Sequence, residues 1–229
     1  MSWQKITMQA VGTEFAVVSL CLLLAVPGGL PAAAIAGMAT ETGDAPLKAV
    51  GNSLQGQIYH RAVTGSSLPE AMIVARFAAP PARVHAVVTD YAHFAEFIPN
   101  VTESRVLLQT GGRQWVFHHL HFAGPVADRA YVIESTDAAS RPQENYFRVD
   151  WTLSSRDFPG IEGNTGIRPR AFSGFWDLRP LQGGLDTEAR YAVRSDPGGF
   201  VPDWLVVKMT DRYIQQVIAA VAQRLGQTN

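Results

Sequence analysis

Hydrophobic and polar residues alternate with a period of two in the later half of the chain, which predicts β-strands with one covered face. In residues 147–153, Phe, Val, Trp and Leu alternate with Arg, Asp and Thr. Residues 174–178 and 189–193 repeat this alternation. Because a slip of one residue would exchange the two faces of a strand, the pattern also specifies the register of these strands.

Strand patterns recur along most of the chain, separated by turn residues such as the Gly-Gly pairs at 111–112 and 183–184. Two short helices are predicted at residues 84–90 and 91–97. Long helices do not alternate with the strands, which argues against parallel βαβ units, so we predict an antiparallel meander. The predicted strands are 57–63, 72–77, 104–109, 114–122, 130–135, 146–153, 172–178 and 187–193.

A long amphipathic helix is predicted from Pro202 to Leu225. Val206, Met209 and Tyr213 begin an apolar stripe with a spacing of three or four residues. Asp203 places a negative charge at the positive end of the helix dipole. The stripe needs an apolar surface to cover, and the strands supply one. The sequence therefore predicts an α+β fold in which a sheet packs against a C-terminal helix.

The covered face of the predicted sheet is rich in aromatic residues. Trp151, Trp176 and Tyr191 fall on it, and Trp115 and Phe117 join them if the earlier strand is in phase. One helix covers only part of a sheet of this width. Either the sheet curls tightly around the helix and packs solid, or a pocket is left between them. Alternation by itself favours the solid core.

The N-terminal segment is predicted to lie outside this fold. Residues 15–26 form an apolar run of about a dozen residues, which fits a signal peptide and is short for a membrane span. Glu14 departs from the positive character expected before such a run, and an uncleaved N-terminal anchor is the alternative. We predict a signal peptide at residues 1–36, a linker at 37–54 and one domain at 55–226. The protein would then be periplasmic or secreted.

The composition argues against several classes of site and partner. The only cysteine, Cys21, lies in the predicted signal peptide, so the mature chain would have no disulfide, zinc–thiolate site or cysteine nucleophile. The formal net charge is −1, and no basic run indicates binding to nucleic acid. The expected partner is an apolar or small molecule.

A histidine cluster at residues 118–121 is the one arrangement that suggests a metal. His119 and His121 share a strand face, but a zinc site needs a third ligand, and no carboxylate lies at a matching spacing. We therefore expect no metal. Nucleophile elbows, phosphate-binding loops and dinucleotide fingerprints are missing from the sequence, so no cofactor is expected either. A polar strand face or a pocket lining explains these histidines more simply.

Several segments in a fixed order resemble bacterial START-type domains, in the superfamily that includes polyketide cyclases and plant pathogenesis-related proteins. The resemblance spans residues 55–225, nearly the whole predicted mature chain. The order of the matching segments is more specific than any one of them. Its segments are Gln57–Arg61, Gly65-Ser66 with Glu70, Ala79–Pro81 with Val84, Asp90, Phe97–Pro99, Ser104–Leu107, Gly124–Arg129, Ser173–Leu178 and Asp196–Gly199 with Pro202 and Trp204.

This resemblance implies a helix-grip fold, in which a curved antiparallel β-sheet wraps around the long C-terminal α-helix with a hydrophobic tunnel between them. It shifts the expectation from a solid core toward a pocket. Arg129 matches the family's strand-start arginine, which could anchor a polar head group or pair with Asp128. Ala130 stands where many family members have aspartate, so one charge partner is missing. The implied ligand-binding residues are Trp115, Phe117, Arg129, Trp151, Trp176, Tyr191, Met209, Tyr213 and Val217.

The first functional hypothesis is therefore binding, or transport, of a lipid or other apolar small molecule in the tunnel without catalysis. Transient membrane contact would accompany it. The alternatives are a cyclase/aromatase- or hydrolase-like pocket enzyme of the same superfamily and a solid-cored interaction module. A buried acid or histidine facing a cavity would favour the enzyme, but no nucleophile or base stands out in the sequence.

Overall fold

One curved antiparallel sheet carries the fold of the residues that the computed structural model describes, which are 45–122, 126–161 and 166–226. In chain order the strands are β1 (Lys48–Ser53), β2 (Gly56–Arg61), β3 (Glu70–Phe77), β4 (Val101–Thr110), β5 (Arg113–Leu120), β6 (Arg129–Thr136), β7 (Phe147–Leu153), β8 (Ala171–Leu181) and β9 (Asp186–Asp196). The order across the sheet is β1-β2-β3-β9-β8-β7-β6-β5-β4. The predicted antiparallel pairing is confirmed: strands β1 to β3 form one meander, strands β4 to β9 form another, and β3 pairs with β9 where the two meet.

The helical elements are α1 (Pro81–Val88), α2 (Phe94–Phe97) and α3 (Asp203–Arg224), with 3₁₀ turns at Tyr91–His93, Pro142–Glu144 and Gln182–Gly184. The apolar stripe of α3 is buried against one face of the sheet, as predicted. His60 Nε2 lies 2.7 Å from Asp211 Oδ1, which ties α3 to β2. Arg224 Nη2 lies 3.0 Å from Glu96 Oε2, which ties it to α2. No helix of the described residues is long and apolar enough to cross a membrane.

The region predicted as a linker contains a strand. Residues 48–53 pair with β2 as an edge strand, with a register shift between Ala49 and Gly51. The strand is almost wholly exposed, so backbone hydrogen bonds hold it and its side chains carry no periodic apolar signal. The signal peptide predicted for residues 1–36 and the rest of the linker, up to residue 44, lie outside the described residues and stay predictions.

Strand β5 has the opposite phase from the one predicted. Val116 and Leu120 face the main core under α3, and His118 lies on the same side. Trp115 and Phe117 instead pack in a separate cluster on the other face, with Ala130 and Val132 of β6. Phe158 and Ile161, which follow β7 in the chain, pack against this cluster. Because β5 is buried on both faces over residues 115–118, apolar and aromatic residues follow one another at 115–117, and this run does not show which face is inner.

Glycine at position 174 makes room for an indole at the centre of the sheet. Gly174 lies opposite Trp151 in the pairing of β7 with β8. A Cβ at this position would overlap the carbonyl oxygen of Ala192 and come within 2.5 Å of the Trp151 ring. The position of this inward-facing tryptophan therefore depends on a neighbour that has no side chain.

Replacing Gly174 by alanine is expected to lower the free energy of unfolding by about 1–3 kcal/mol, the usual cost of overpacking a filled interior. Gly51→Ala is the matched control, because a Cβ on Gly51 meets no atom of the described residues within 4 Å. Urea denaturation of both variants measures the difference. Equal stability of the two variants would show that the sheet relaxes around the added methyl group.

Candidate functional site

A cavity of about 360 Å³ lies between the N-terminal half of α3 and the sheet. This volume falls in the range of small-molecule sites in proteins, roughly 300–1,000 Å³. The walls come from β5, β6, β8, β9 and α3, and most of the lining side chains are apolar. The loop joining β9 to α3, residues 197–202, closes one end; we call it the roof loop. Principal wall residues are Leu120, Tyr131, Phe172, Val193, Val206 and Met209.

A second, smaller cavity of about 50 Å³ lies along the C-terminal half of α3. Tyr131, Phe172 and Tyr213 line both cavities, so they stand between the two spaces. The walls of the smaller cavity are mainly aromatic. The rings of Trp176 and Tyr191 stack with centroids 4.2 Å apart. Trp151 lies against the same tyrosine, at 5.8 Å between centroids.

The structure brings together seven of the nine residues predicted to bind a ligand. Arg129, Met209 and Tyr213 line the larger cavity. The smaller cavity is lined by Tyr213 again, together with Trp151, Trp176, Tyr191 and Val217. Trp115 and Phe117 line neither cavity, because they point to the opposite face of the sheet.

Arg129 is a buried cation that holds the roof loop. Its Nε donates a hydrogen bond to the carbonyl oxygen of Pro197 at 2.6 Å, and Nη2 donates to that of Gly198 at 3.2 Å. Nη1 donates to the carbonyl oxygen of Ala127. Of the two predicted roles, an ion pair with Asp128 is not formed in the described residues. The second role, contact with a polar ligand group, stays a prediction, since Arg129 also lines the larger cavity.

Asp128 instead contacts two histidines on the outer side of β5. Its Oδ1 lies 2.9 Å from His121 Nδ1, and its Oδ2 lies 3.6 Å from His119 Nε2. The sequence analysis found no carboxylate at a matching spacing from this histidine pair, because only the tertiary structure brings Asp128 beside it. Thr102 Oγ1 lies 2.6 Å from the Nδ1 atom of His119. Among the described residues, no group of three histidine, cysteine or acidic side chains could hold a metal ion.

His118 lines the smaller cavity, in line with the pocket-lining alternative for the histidine cluster, although neither it nor Tyr131 and Phe172 were among the predicted ligand-binding residues. It is 6 % exposed, and its ring packs against those of Phe94 and Tyr131. Burial lowers its pKa to about 4, so the imidazole is neutral near pH 7. Its spacing of two residues from Val116 and Leu120 would have placed it inside once the phase of β5 was known.

The tyrosine hydroxyls around the cavities are also uncharged. Burial raises the pKa of Tyr213 to about 12 and raises those of Tyr131 and Tyr191 well above the usual value of 10.0. Among the described lining residues of the two cavities taken together, the charged side chains are Arg129 and Arg212, and both line only the larger cavity. The smaller cavity is therefore polar in places and neutral throughout its described lining.

A cavity between a curved sheet and a C-terminal helix is the arrangement that the family resemblance implied. The family model described as "Polyketide cyclase / dehydrase and lipid transport" matches residues 77–222. The chain belongs to this family. Every residue that lines the larger or the smaller cavity lies within the matched range, so the family assignment covers the site as well as strands β4 to β9.

Individual relatives show how this family member compares with others. It is 28 % identical over 151 residues to the uncharacterized protein PA1579 of Pseudomonas aeruginosa, which covers 65 % of this chain and 71 % of that protein. A STAR-related lipid transfer protein from Xanthomonas axonopodis has a TM-score of 0.67 and 22 % identity, covering 79 % of this chain and 99 % of that one. Human StAR-related lipid transfer protein 5 has a TM-score of 0.67 and 14 % identity, and the match covers 84 % of this chain and 91 % of that one. These structures confirm the helix-grip fold.

The low pKa of His118 predicts an acid-dependent loss of stability. The unfolded chain takes up a proton near pH 6.5, whereas the folded chain does so only near pH 4. Unfolding is therefore favoured as the pH falls from about 6.5 to about 4, by about 3 kcal/mol in total. In His118→Phe this contribution disappears, so the free energy of unfolding should fall less steeply over this range than in the wild type. Chemical denaturation at several pH values measures both curves.

His93→Gln is the control for this measurement. His93 is exposed, and the hydrogen bond that its ring nitrogen donates to Asp90 raises its pKa, so its removal changes the pH dependence in the opposite direction. Parallel stability curves for the wild type and His118→Phe would show that the imidazole is protonated in the folded state, which would contradict its burial as a neutral group.

Proposed function

We propose that this protein binds a lipid or a similar apolar small molecule between the sheet and α3 and releases it unchanged. The observation that carries the proposal is the larger cavity, whose volume and apolar walls suit such a ligand. Burial of apolar surface would supply the affinity, at roughly 25 cal/mol per Å². Relatives named as lipid transfer proteins share the fold and support this choice over a solid-cored module.

The charges on the cavity wall indicate how such a ligand would be oriented. Arg129 and Arg212 supply two cations to the larger cavity, and no acidic side chain is among its described lining residues. Arg129 lies at the start of β6, and Arg212 lies at an exposed position near the middle of α3. A polar or anionic head group would bind near them, and the apolar body would extend between β8, β9 and α3.

Access for the ligand would require movement of the roof loop. Pro197 and Val201 line the larger cavity, and two consecutive glycines in this loop, Gly198 and Gly199, adopt positive φ angles of 67° and 73°. Arg129 holds the loop closed through the carbonyl oxygens of Pro197 and Gly198. Loss of these hydrogen bonds would free the loop and the first turn of α3 while leaving the sheet intact.

The outer surface of the roof loop is suited to contact a membrane. Phe200 is fully exposed and Trp204 is 68 % exposed, although both are large apolar side chains. Ile167 is also exposed and lies close to Gly199. The exposed cations Arg170 and Lys208 lie beside this patch, one next to Gly198 and one a helical turn after Trp204. Aromatic side chains flanked by cations favour the interface of an anionic bilayer. Ligand could then exchange directly between membrane and cavity.

An enzyme is the second candidate function, because a buried histidine does line a cavity. His118 could transfer a proton to or from a bound substrate. A pKa of about 4, however, makes it a weak base near neutral pH. The described lining of the smaller cavity also holds no carboxylate that could orient the imidazole. These two features favour binding over catalysis.

Filling the larger cavity should abolish ligand binding without unfolding the protein. Met209 lines the cavity and is only half-buried, so Met209→Trp is expected to weaken binding of a fluorescent fatty acid by at least about tenfold while unfolding stays cooperative. Gln223→Trp adds the same side chain at an exposed position of the same helix and should bind like the wild type. Fluorescence titration gives both dissociation constants.

Native mass spectrometry of the protein from its own host, followed by solvent extraction, completes this test. A co-purified apolar molecule recovered chemically unchanged supports binding, whereas its conversion on incubation would support the enzyme. A ligand-free mass together with no binding of the fluorescent fatty acid would overturn the proposal.

Membrane contact is tested by removing the exposed aromatic side chains of the patch. The double substitution Phe200→Ser and Trp204→Ser should reduce co-sedimentation with phosphatidylcholine–phosphatidylglycerol vesicles by at least about tenfold, because each side chain contributes roughly 1.5–3 kcal/mol when buried. Leu185→Ser removes an equally exposed apolar side chain at the opposite end of β9 and should have no effect. Undiminished sedimentation of the double variant would exclude this surface.

A further inference from the structure

Two side chains that line the smaller cavity each have one buried ring nitrogen with no hydrogen-bond partner within the part of the chain that the structure describes. These nitrogens are Nε2 of His118 and Nε1 of Trp151. The two side chains are only 6 % and 9 % exposed. A buried donor or acceptor left unpaired is unfavourable, at about 1–3 kcal/mol. Two such atoms in side chains that line one cavity indicate a site that is completed by a bound group.

The chemistry of the two side chains defines that group. An indole nitrogen can only donate a hydrogen bond, whereas a neutral imidazole offers one donor and one acceptor. Burial keeps the His118 imidazole neutral. An oxygen atom can accept from the indole, and it can either donate to the imidazole or accept from it. A hydroxyl or a carbonyl group meets both requirements.

Charge excludes an ionised group from the same place. The described side chains that line the smaller cavity include no arginine, lysine, aspartate or glutamate. The aromatic neighbours Trp176 and Tyr191 add only weakly polar surface. A carboxylate or phosphate there would lose its hydration without gaining a counter-ion, which is strongly unfavourable. Such a group would bind instead beside Arg129 and Arg212 in the larger cavity.

We propose that the smaller cavity is a subsite for a neutral hydroxyl or carbonyl group at one end of the ligand, recognised by His118 and Trp151. This inference rests on the proposed binding function. The body of the ligand passes Tyr131, Phe172 and Tyr213, which line both cavities, and occupies the larger one. The ligand class is therefore an elongated apolar molecule with a neutral oxygen at its inner end, such as a long-chain alcohol, a ketone or an ester.

The experiment compares dodecanol with dodecane, measured by displacement of the fluorescent fatty acid. Trp151→Phe removes the indole donor, and it should weaken dodecanol binding by about tenfold while changing dodecane binding less than threefold. Trp176→Phe is the matched control: it shrinks a tryptophan of the same cavity whose nitrogen is not among the unpaired atoms, so both ligands should change by the same factor. His118→Phe should act like Trp151→Phe.

A measurement on the wild-type protein tests the subsite even if the variants do not fold. The indole N–H signal of Trp151 in the ¹⁵N–¹H spectrum should shift when dodecanol binds and stay in place when dodecane binds. Equal losses of affinity for both ligands in Trp151→Phe, or an unchanged indole signal with dodecanol bound, would overturn the subsite and leave the proposed function standing. Failure of both molecules to displace the probe from the wild type, together with no probe binding, would overturn the proposed function itself.

Discussion

The packing of one helix on a wide curved sheet is the constraint on which the rest of this structure depends. The inner face of nine strands offers more apolar surface than the stripe of α3 can cover. At the C-terminal end of α3, the short helices α1 and α2 add side chains such as Val88 and Phe94, and only a small cavity is left. Toward its N-terminal end no further element of the described residues fills the space, and the larger cavity results.

The same arrangement determines where charge can lie. Inside, burial keeps the imidazole of His118 and the hydroxyls of the tyrosines neutral, so the wall can form hydrogen bonds without carrying charge. At the roof loop, Arg129 is protonated and donates hydrogen bonds to the backbone carbonyl oxygens of Pro197 and Gly198. One residue therefore lines the cavity and also holds the loop that closes it. If a ligand binds as proposed, its binding and the closure of the roof loop would be linked through this guanidinium.

Membership of a family whose description includes both cyclases and lipid transport leaves the chemistry to be argued from the site. A buried histidine facing a cavity is the feature expected of an enzyme. Its environment differs from that of an effective base, because no acid lies beside it in the described lining and burial pushes its pKa far below neutrality. The same environment suits recognition of a neutral oxygen, and for this reason binding accounts for His118 better than proton transfer does.

The class of fold, the antiparallel pairing and the inner faces of β7, β8 and β9 follow from the sequence, because apolar and polar residues alternate visibly in these strands, even though polar residues of β8 and β9 such as Asp177 and Glu188 are buried in the structure. The phase of β5, whose two faces are both buried, did not follow from the sequence, so Trp115 and Phe117 were counted among the ligand-binding residues and His118 was not. The edge strand β1 was missed because backbone pairing alone holds it. Only the tertiary structure decided that a cavity remains, since its size depends on the distance between α3 and the sheet, which no local pattern records.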